Sequence, residues 1–96
     1  MAIRSFSDSI VEGFFRDGVV PKRAGWAAVA KVAKRKLDML DYAEDLMDLA
    51  SPPGNRLEAL KGDRMGSHCI RINAQWRVVF KWTDSGPGEV SIVDYH

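Results

Sequence analysis

Ser51-Pro52-Pro53-Gly54 divides this chain in two. It places two residues without a backbone N–H side by side, a run that neither a helix interior nor a central strand tolerates. The hydrophobic period changes across it. Before the break, Trp26, Val29, Ala30, Ala33, Leu37 and Leu40 recur at helical spacing, which predicts a long helix from about Pro21 to Tyr42 with those residues on its buried side. After the break the period is two. His68, Ile70 and Ile72 alternate with Cys69, Arg71 and Asn73, and Trp76, Val78, Phe80 and Trp82 alternate with Arg77, Val79 and Lys81. Helices first and strands afterwards define a two-layer α+β fold, with N-terminal helices packed on a mainly antiparallel sheet.

Smaller elements fill the rest. Residues 2–6 read as a short opening strand. Ser7, Asp8 and Ser9 offer helix N-caps, Ser9 and Glu12 have capping-box spacing, and Ile10, Val11 and Phe14 give one apolar face to a helix ending near Gly18. Asp41 to Asp48 carries a helical turn. Arg56 to Leu60 reads as a strand, Lys61 to Arg64 and Asp84 to Gly88 as turns, and Val90 to Tyr95 as the last strand.

Length and composition narrow the function. Ninety-six residues fit a single domain, 1–96, with one modest core. One cysteine excludes an internal disulfide, and two histidines beside it are too few for a structural zinc site, so neither metal nor cofactor is expected. No stretch approaches the roughly 20 apolar residues of a membrane span, and the N-terminus lacks a signal-type apolar core. A reducing cytoplasm is the expected compartment.

Net charge is only +1, yet charge is segregated. Arg56 to Lys81 holds six bases against two acids, a local balance of +4, whereas Asp38 to Asp48 holds five acids and no base. If Trp76, Val78, Phe80 and Trp82 face the core, Arg77 and Lys81 share the opposite face and offer a platform for an anion. A solvated sheet face is the plainer reading of the same pattern.

Three segments, in order, carry a resemblance. Leu57-Glu58-Ala59-Leu60-Lys61-Gly62-Asp63-Arg64, then Asn73 to Val78 with Trp76-Arg77 at its centre, then Asp94-Tyr95-His96, resemble the HigB-like branch of the RelE toxin superfamily. The resemblance spans the chain. It implies a compact α+β fold and a metal-independent endoribonuclease that cuts translated mRNA on the ribosome and inhibits growth. It also implies a HigA-like helix-turn-helix antitoxin, through which alone operator DNA would be contacted. One position departs from the pattern: Glu58 stands where related toxins often carry a histidine. An ionised glutamate can accept a proton but repels phosphate, so Glu58 is either a substituted base or an exposed bystander.

Metal-free RNA cleavage needs a group to deprotonate the 2′-hydroxyl, positive charge on the phosphorane-like transition state and a proton for the departing 5′-oxygen. Arg77 suits the charge, because its planar fork matches two phosphate oxygens. Lys61, Arg64 and Arg71 are candidate phosphate contacts. His96, with an ordinary pKa of roughly 6.5, suits acid or base work. Tyr95 can stack on a base or hydrogen-bond the nucleophile, and Asp94 can orient either neighbour. The residue pattern leaves base and acid unassigned.

Structural roles compete for the same residues. Arg77 could merely cover the Trp76 ring, and Lys61 and Arg64 flank a turn where exposed charge is ordinary. His68 reads as a half-buried strand residue, Cys69 as apolar filler and the tryptophans as core, with Trp26 also a candidate for an antitoxin surface. Two other functions remain open: a catalytically weak member acting mainly as antitoxin-bound corepressor of its own operon, and a free-standing DNA-binding domain.

Overall fold

The computed structural model describes residues 2–95. Helix α1, Ser9–Asp17, begins where the Asp8 carboxylate accepts the backbone N–H groups of Ile10 and Val11, satisfying donors that the first turn leaves free. It ends at Gly18, whose φ of 73° is the left-handed conformation that glycine adopts without strain. The expected Ser9–Glu12 capping box does not form: Asp8 is the cap, and Glu12 instead accepts from Arg16 Nε at 2.9 Å. With that start, Val11 and Phe14 turn inward while Ile10 stays 57% exposed.

The predicted long helix forms in two stages. A 3-10 turn over Gly25–Val29 precedes helix α2, Ala30–Tyr42. Neither stage has a side-chain N-cap, and a Cβ at position 25 would overlap the Trp76 ring. The glycine is therefore required by close packing, at the cost of weak helix propensity where the helix would otherwise begin. Trp26, Ala33, Leu37 and Leu40 are buried, as the spacing predicts. Trp26 packs 4.9 Å from Phe14, ring centre to ring centre; at 4% exposure it offers no surface to a partner.

A second 3-10 turn, Leu46–Ala50, is closed by a reciprocal Asp45–Asp48 capping box. The segment containing Pro52 and Pro53 follows. Buried Asn55 ties it down: its Nδ2 donates to the carbonyls of Leu49 and Ser51, and its Oδ1 accepts from Lys36 Nζ.

Four strands complete the layer: β1 Glu58–Ala59, β2 His68–Arg71, β3 Trp76–Thr83 and β4 Gly86–Asp94. They pair in sequence order, all antiparallel. The strand expected from Arg56 to Leu60 shrinks to two residues, because Arg56 takes the left-handed conformation (φ 48°) and cannot extend it. The opening strand shrinks further, to a single parallel bridge between Phe6 and Val90. The register slips between Val79 and Lys81, where Val79 faces Ser91 but Lys81 faces Gly88. The extra residue lies in β4 beside Glu89, whose φ is 50°, and such a bulge bends the edge on which an added ladder would grow.

The core lies between the helices and one face of the sheet. Val11, Phe14, Trp26, Ala33, Leu37 and Leu40 meet Ile70, Val78, Phe80, Val90 and Ile92, with Trp76 and Trp82 half-buried around them. No described helix is long and apolar enough to cross a membrane.

Candidate active site

Strand alternation puts the candidate site residues Glu58 and Arg77 on the opposite face. In the ladder, Glu58 pairs with Cys69, Cys69 with Val79, and Val79 with Ser91; two steps along, Arg71 pairs with Arg77 and Arg77 with Val93. Residues directly opposite on a sheet point to the same side, so these two rows form one surface. It is not a uniformly solvated face. Cys69 and Val79 are buried on it, and a pocket of about 680 Å³ opens over Val79 and Val93.

Glu58, Lys61, Arg64, Asp94 and Tyr95 form the polar part of its wall, beside Ala59 and Leu60. Lys61 and Arg64 come from the β1–β2 loop, which folds tightly because Gly62 takes a φ of 66°. Its neck is closed by Leu60 N–H donating to Ser67 O at 2.9 Å. The loop thereby holds two cations at the rim.

Tyr95 is the centre of the wall. Its hydroxyl donates to Glu58 Oε1 at 2.7 Å, and the Arg77 guanidinium carbon lies 4.7 Å from its ring centroid, within cation–π range. Arg77 therefore covers the ring of Tyr95, across the strand pair, and not that of adjacent Trp76, which alternation sends to the core side. Among the described residues, Arg77 Nε is buried with no hydrogen-bond partner, a donor whose desolvation is uncompensated in the free protein.

The hydrogen bond to Glu58, reinforced by the charge of that carboxylate, pushes the Tyr95 phenol above its ordinary value, with Arg77 opposing. Burial, then the Glu58 charge, likewise raises the Cys69 thiol, which leaves it protonated filler as expected from its place in the strand. His68 falls on the core side, stacked 6.2 Å from Phe80, and takes no part in the pocket.

Asp94 lies on the pocket wall and accepts from Gln75 Nε2 at 3.0 Å. The Gln75 carbonyl accepts the Tyr95 N–H at 2.6 Å. Gln75 thus grips two successive residues, and it is itself fixed by Asn73, whose side chain accepts the N–H groups of Gln75 and Trp76. Gln75 is not among the residues singled out by pattern; the Asn-x-x-Trp turn before a strand was the available signal. Arg71, grouped in the sequence with Lys61 and Arg64, instead lines a separate pocket against α2. His96 lies outside the described residues. Among the described residues no group of three His, Cys, Asp or Glu side chains is placed to hold a metal ion.

This architecture is that of a RelE-like toxin. A YoeB/ParE toxin from Agrobacterium tumefaciens superposes with a TM-score of 0.55 over all of both chains, at 24% identity. Residues 4–96 match the model of the family described as RelE-like toxin of the type II toxin–antitoxin system HigB. The toxin HigB-1 of Vibrio cholerae is 37% identical over 83 residues, 82% of each protein. An uncharacterized protein of Haemophilus influenzae is 42% identical over 55 residues, covering 57% of this chain and 54% of its own. The chain belongs to the HigB-like toxin family. It is a toxin of a toxin–antitoxin system, for which an antitoxin partner is implied.

Proposed function

We propose that residues 1–96 act as one domain that cleaves translated mRNA on the ribosome as a metal-independent endoribonuclease. The observation that carries this reading is the contact of Tyr95 with both Glu58 and Arg77, beside a pocket rimmed by Lys61 and Arg64. A carboxylate that already accepts a hydroxyl proton at 2.7 Å is suited to accept one from a ribose 2′-hydroxyl in the same place. Arg77 then meets the charge that develops on the phosphorane through its guanidinium fork. Lys61 and Arg64 hold flanking phosphates. Tyr95, kept as a phenol, orients the nucleophile or stacks on a base, and Asp94 fixes the final segment. His96, by residue type and by the family resemblance, supplies the proton to the departing 5′-oxygen.

So open a site has few groups with which to bend a flexible strand, and positioning of reactants contributes several kcal/mol to such a barrier. The ribosome supplies that positioning, and free RNA is cut poorly. The partner is a HigA-like helix-turn-helix antitoxin, which alone contacts operator DNA. Induced expression in bacteria, with mapping of 5′-hydroxyl RNA ends, tests the reading. New ends within translated messages support it; arrested growth with intact messages sinks it.

One observation favours a second reading. Glu58 and Tyr95 are each other's partners in the free protein, which competes with substrate and fits a weakly catalytic member acting mainly as antitoxin-bound corepressor. Operator repression that persists in a strain carrying no measurable RNA cleavage would select that alternative.

A further inference from the structure

The pocket that takes Arg71 lies beyond the end of β1. Because β1 has only two residues, it pairs with His68 and Cys69 of β2 and leaves Ile70 and Arg71 without a strand on that side. A cavity of about 390 Å³ opens there, between the end of β2, the middle of α2 and the turn containing Pro52 and Gly54. Three cations line it, Arg35, Lys36 and Arg71, and no acidic residue does.

Elsewhere among the described residues, three cations have carboxylate partners. Arg16 pairs with Glu12, Lys34 with Asp38 and Lys81 with Glu89. Among the described residues no carboxylate pairs with Arg35, Lys36 or Arg71. Lys36 is held in place by the buried Asn55 carbonyl oxygen, so its ammonium is positioned without being neutralised. Burial, and then the charge of Arg35, lower the Lys36 pKa. The pocket also lies near the candidate active site. Arg71 sits directly opposite Arg77 in the ladder, where facing Cα atoms are only about 5 Å apart.

We propose that this pocket is a second phosphate-binding subsite, holding a phosphodiester of the same single-stranded RNA whose scissile phosphate lies at the Glu58–Tyr95 pocket. The proposal rests on the endoribonuclease reading for the identity of the strand. Arg35 and Lys36 grip the distant phosphate, Arg71 and Arg77 bridge the two pockets, and the strand crosses the open end of β2. The subsite would fix the direction and register of the RNA, a property the catalytic pocket alone does not supply.

Binding tests this without requiring cleavage. The probe is a fluorescein-labelled RNA decamer with 2′-O-methyl sugars, which lack the nucleophile, compared with a dinucleotide of the same chemistry too short to reach both pockets. The double variant Arg35→Gln/Lys36→Gln should bind the decamer about tenfold more weakly and bind the dinucleotide like wild type. Its slope of log affinity against log salt should fall by about 0.7 for each phosphate left without its cation. Arg35→Gln alone, at an exposed position, should show part of the effect with an unchanged melting curve. Arg4→Gln/Arg16→Gln removes equal charge from the N-terminal segment and α1 and should change decamer affinity less than twofold. Equal affinity and slope for wild type and the Arg35/Lys36 variant would overturn the subsite, as would a wild type that binds no decamer. Displacement of the decamer by micromolar inorganic phosphate at fixed ionic strength would overturn the RNA assignment in favour of a free-phosphate site. A wild type that shows the subsite signature yet cuts no message in cells would instead remove the endoribonuclease reading alone.

Discussion

On the helix-facing side of the sheet, Ile70, Val78, Phe80 and Ile92 are packed against α1 and α2. On the other face Glu58, Val79, Val93 and Tyr95 line an open pocket, with Arg77 beside it over the Tyr95 ring. The first face buries apolar surface against the helices. The second sinks an apolar floor, Cys69 and Val79, beneath a rim of charges and leaves Arg77 Nε without a partner. Alternation with period two separates stability from chemistry by a single residue. Substitutions on the two faces should therefore fail in different ways.

The largest expected effect belongs to the core face. Phe80 is fully buried, and Phe80→Ala should cost about 3–5 kcal/mol of stability through lost burial and the cavity left behind. Urea unfolding measures it. A loss below about 1 kcal/mol would mean that the core lies elsewhere. Gly25→Ala comes next on that face. Its Cβ would overlap the Trp76 ring, and overpacking of this kind typically costs about 1–3 kcal/mol. A stabilised variant would show that the gain in helix propensity outweighs the clash.

Gln75 offers a smaller test on the outer face. Gln75→Ala keeps the carbonyl that holds Tyr95 N–H and removes only the grip on Asp94. Loss of one such hydrogen bond, about 1–1.5 kcal/mol, corresponds to roughly tenfold slower message cleavage. Melting should fall by only a few degrees, as the loss of one exposed hydrogen bond implies; the same fall with full cleavage would assign Gln75 to structure alone.

The smallest effect is spectroscopic. In a Tyr42→Phe background only Tyr95 titrates in the near ultraviolet, and its folded pKa stands above the ordinary value of about 10. The folded state therefore retains the phenolic proton more tightly than the unfolded chain does. The associated stability is present below pH ~10 and is lost as pH rises through the folded pKa. Glu58→Gln removes the charge that raises it and should shift the titration downward. An unshifted curve would break the Glu58–Tyr95 contact.

Much of this molecule was legible in its residues, for identifiable reasons. The change of period at Pro52-Pro53 separated helices from strands, and alternation across Trp76 to Trp82 assigned Val78 and Phe80 to the core and Arg77 to the other face. Elements governed by tertiary contact were not legible. The 3-10 start of the long helix follows from the Trp76 ring against Gly25, and the two-residue β1 from a left-handed Arg56; neither is marked by a local residue pattern. Of the candidate site, Glu58, Lys61, Arg64, Asp94 and Tyr95 share the wall of one pocket, with Arg77 joined through the Tyr95 ring. Arg71 matched the same basic stretch yet turned toward α2, because a strand edge left open by short β1 gave it another pocket. Trp26 could have been surface or core on spacing alone; the Phe14 ring decides for the core.

The central claim is that Arg77 serves chemistry and not the fold. Arg77→Ala should melt like wild type, with stability changed by no more than about 1 kcal/mol, because no described hydrogen bond or ion pair of the fold depends on its Nε. The same protein, induced in bacteria, should generate RNA ends about 10²–10³-fold more slowly, the usual consequence of removing one preorganised donor to a developing anion. Arg77→Lys should recover only part of the rate, since an ammonium cannot make the two-pronged contact. A folded Arg77→Ala protein that cuts messages at the wild-type rate would contradict the account.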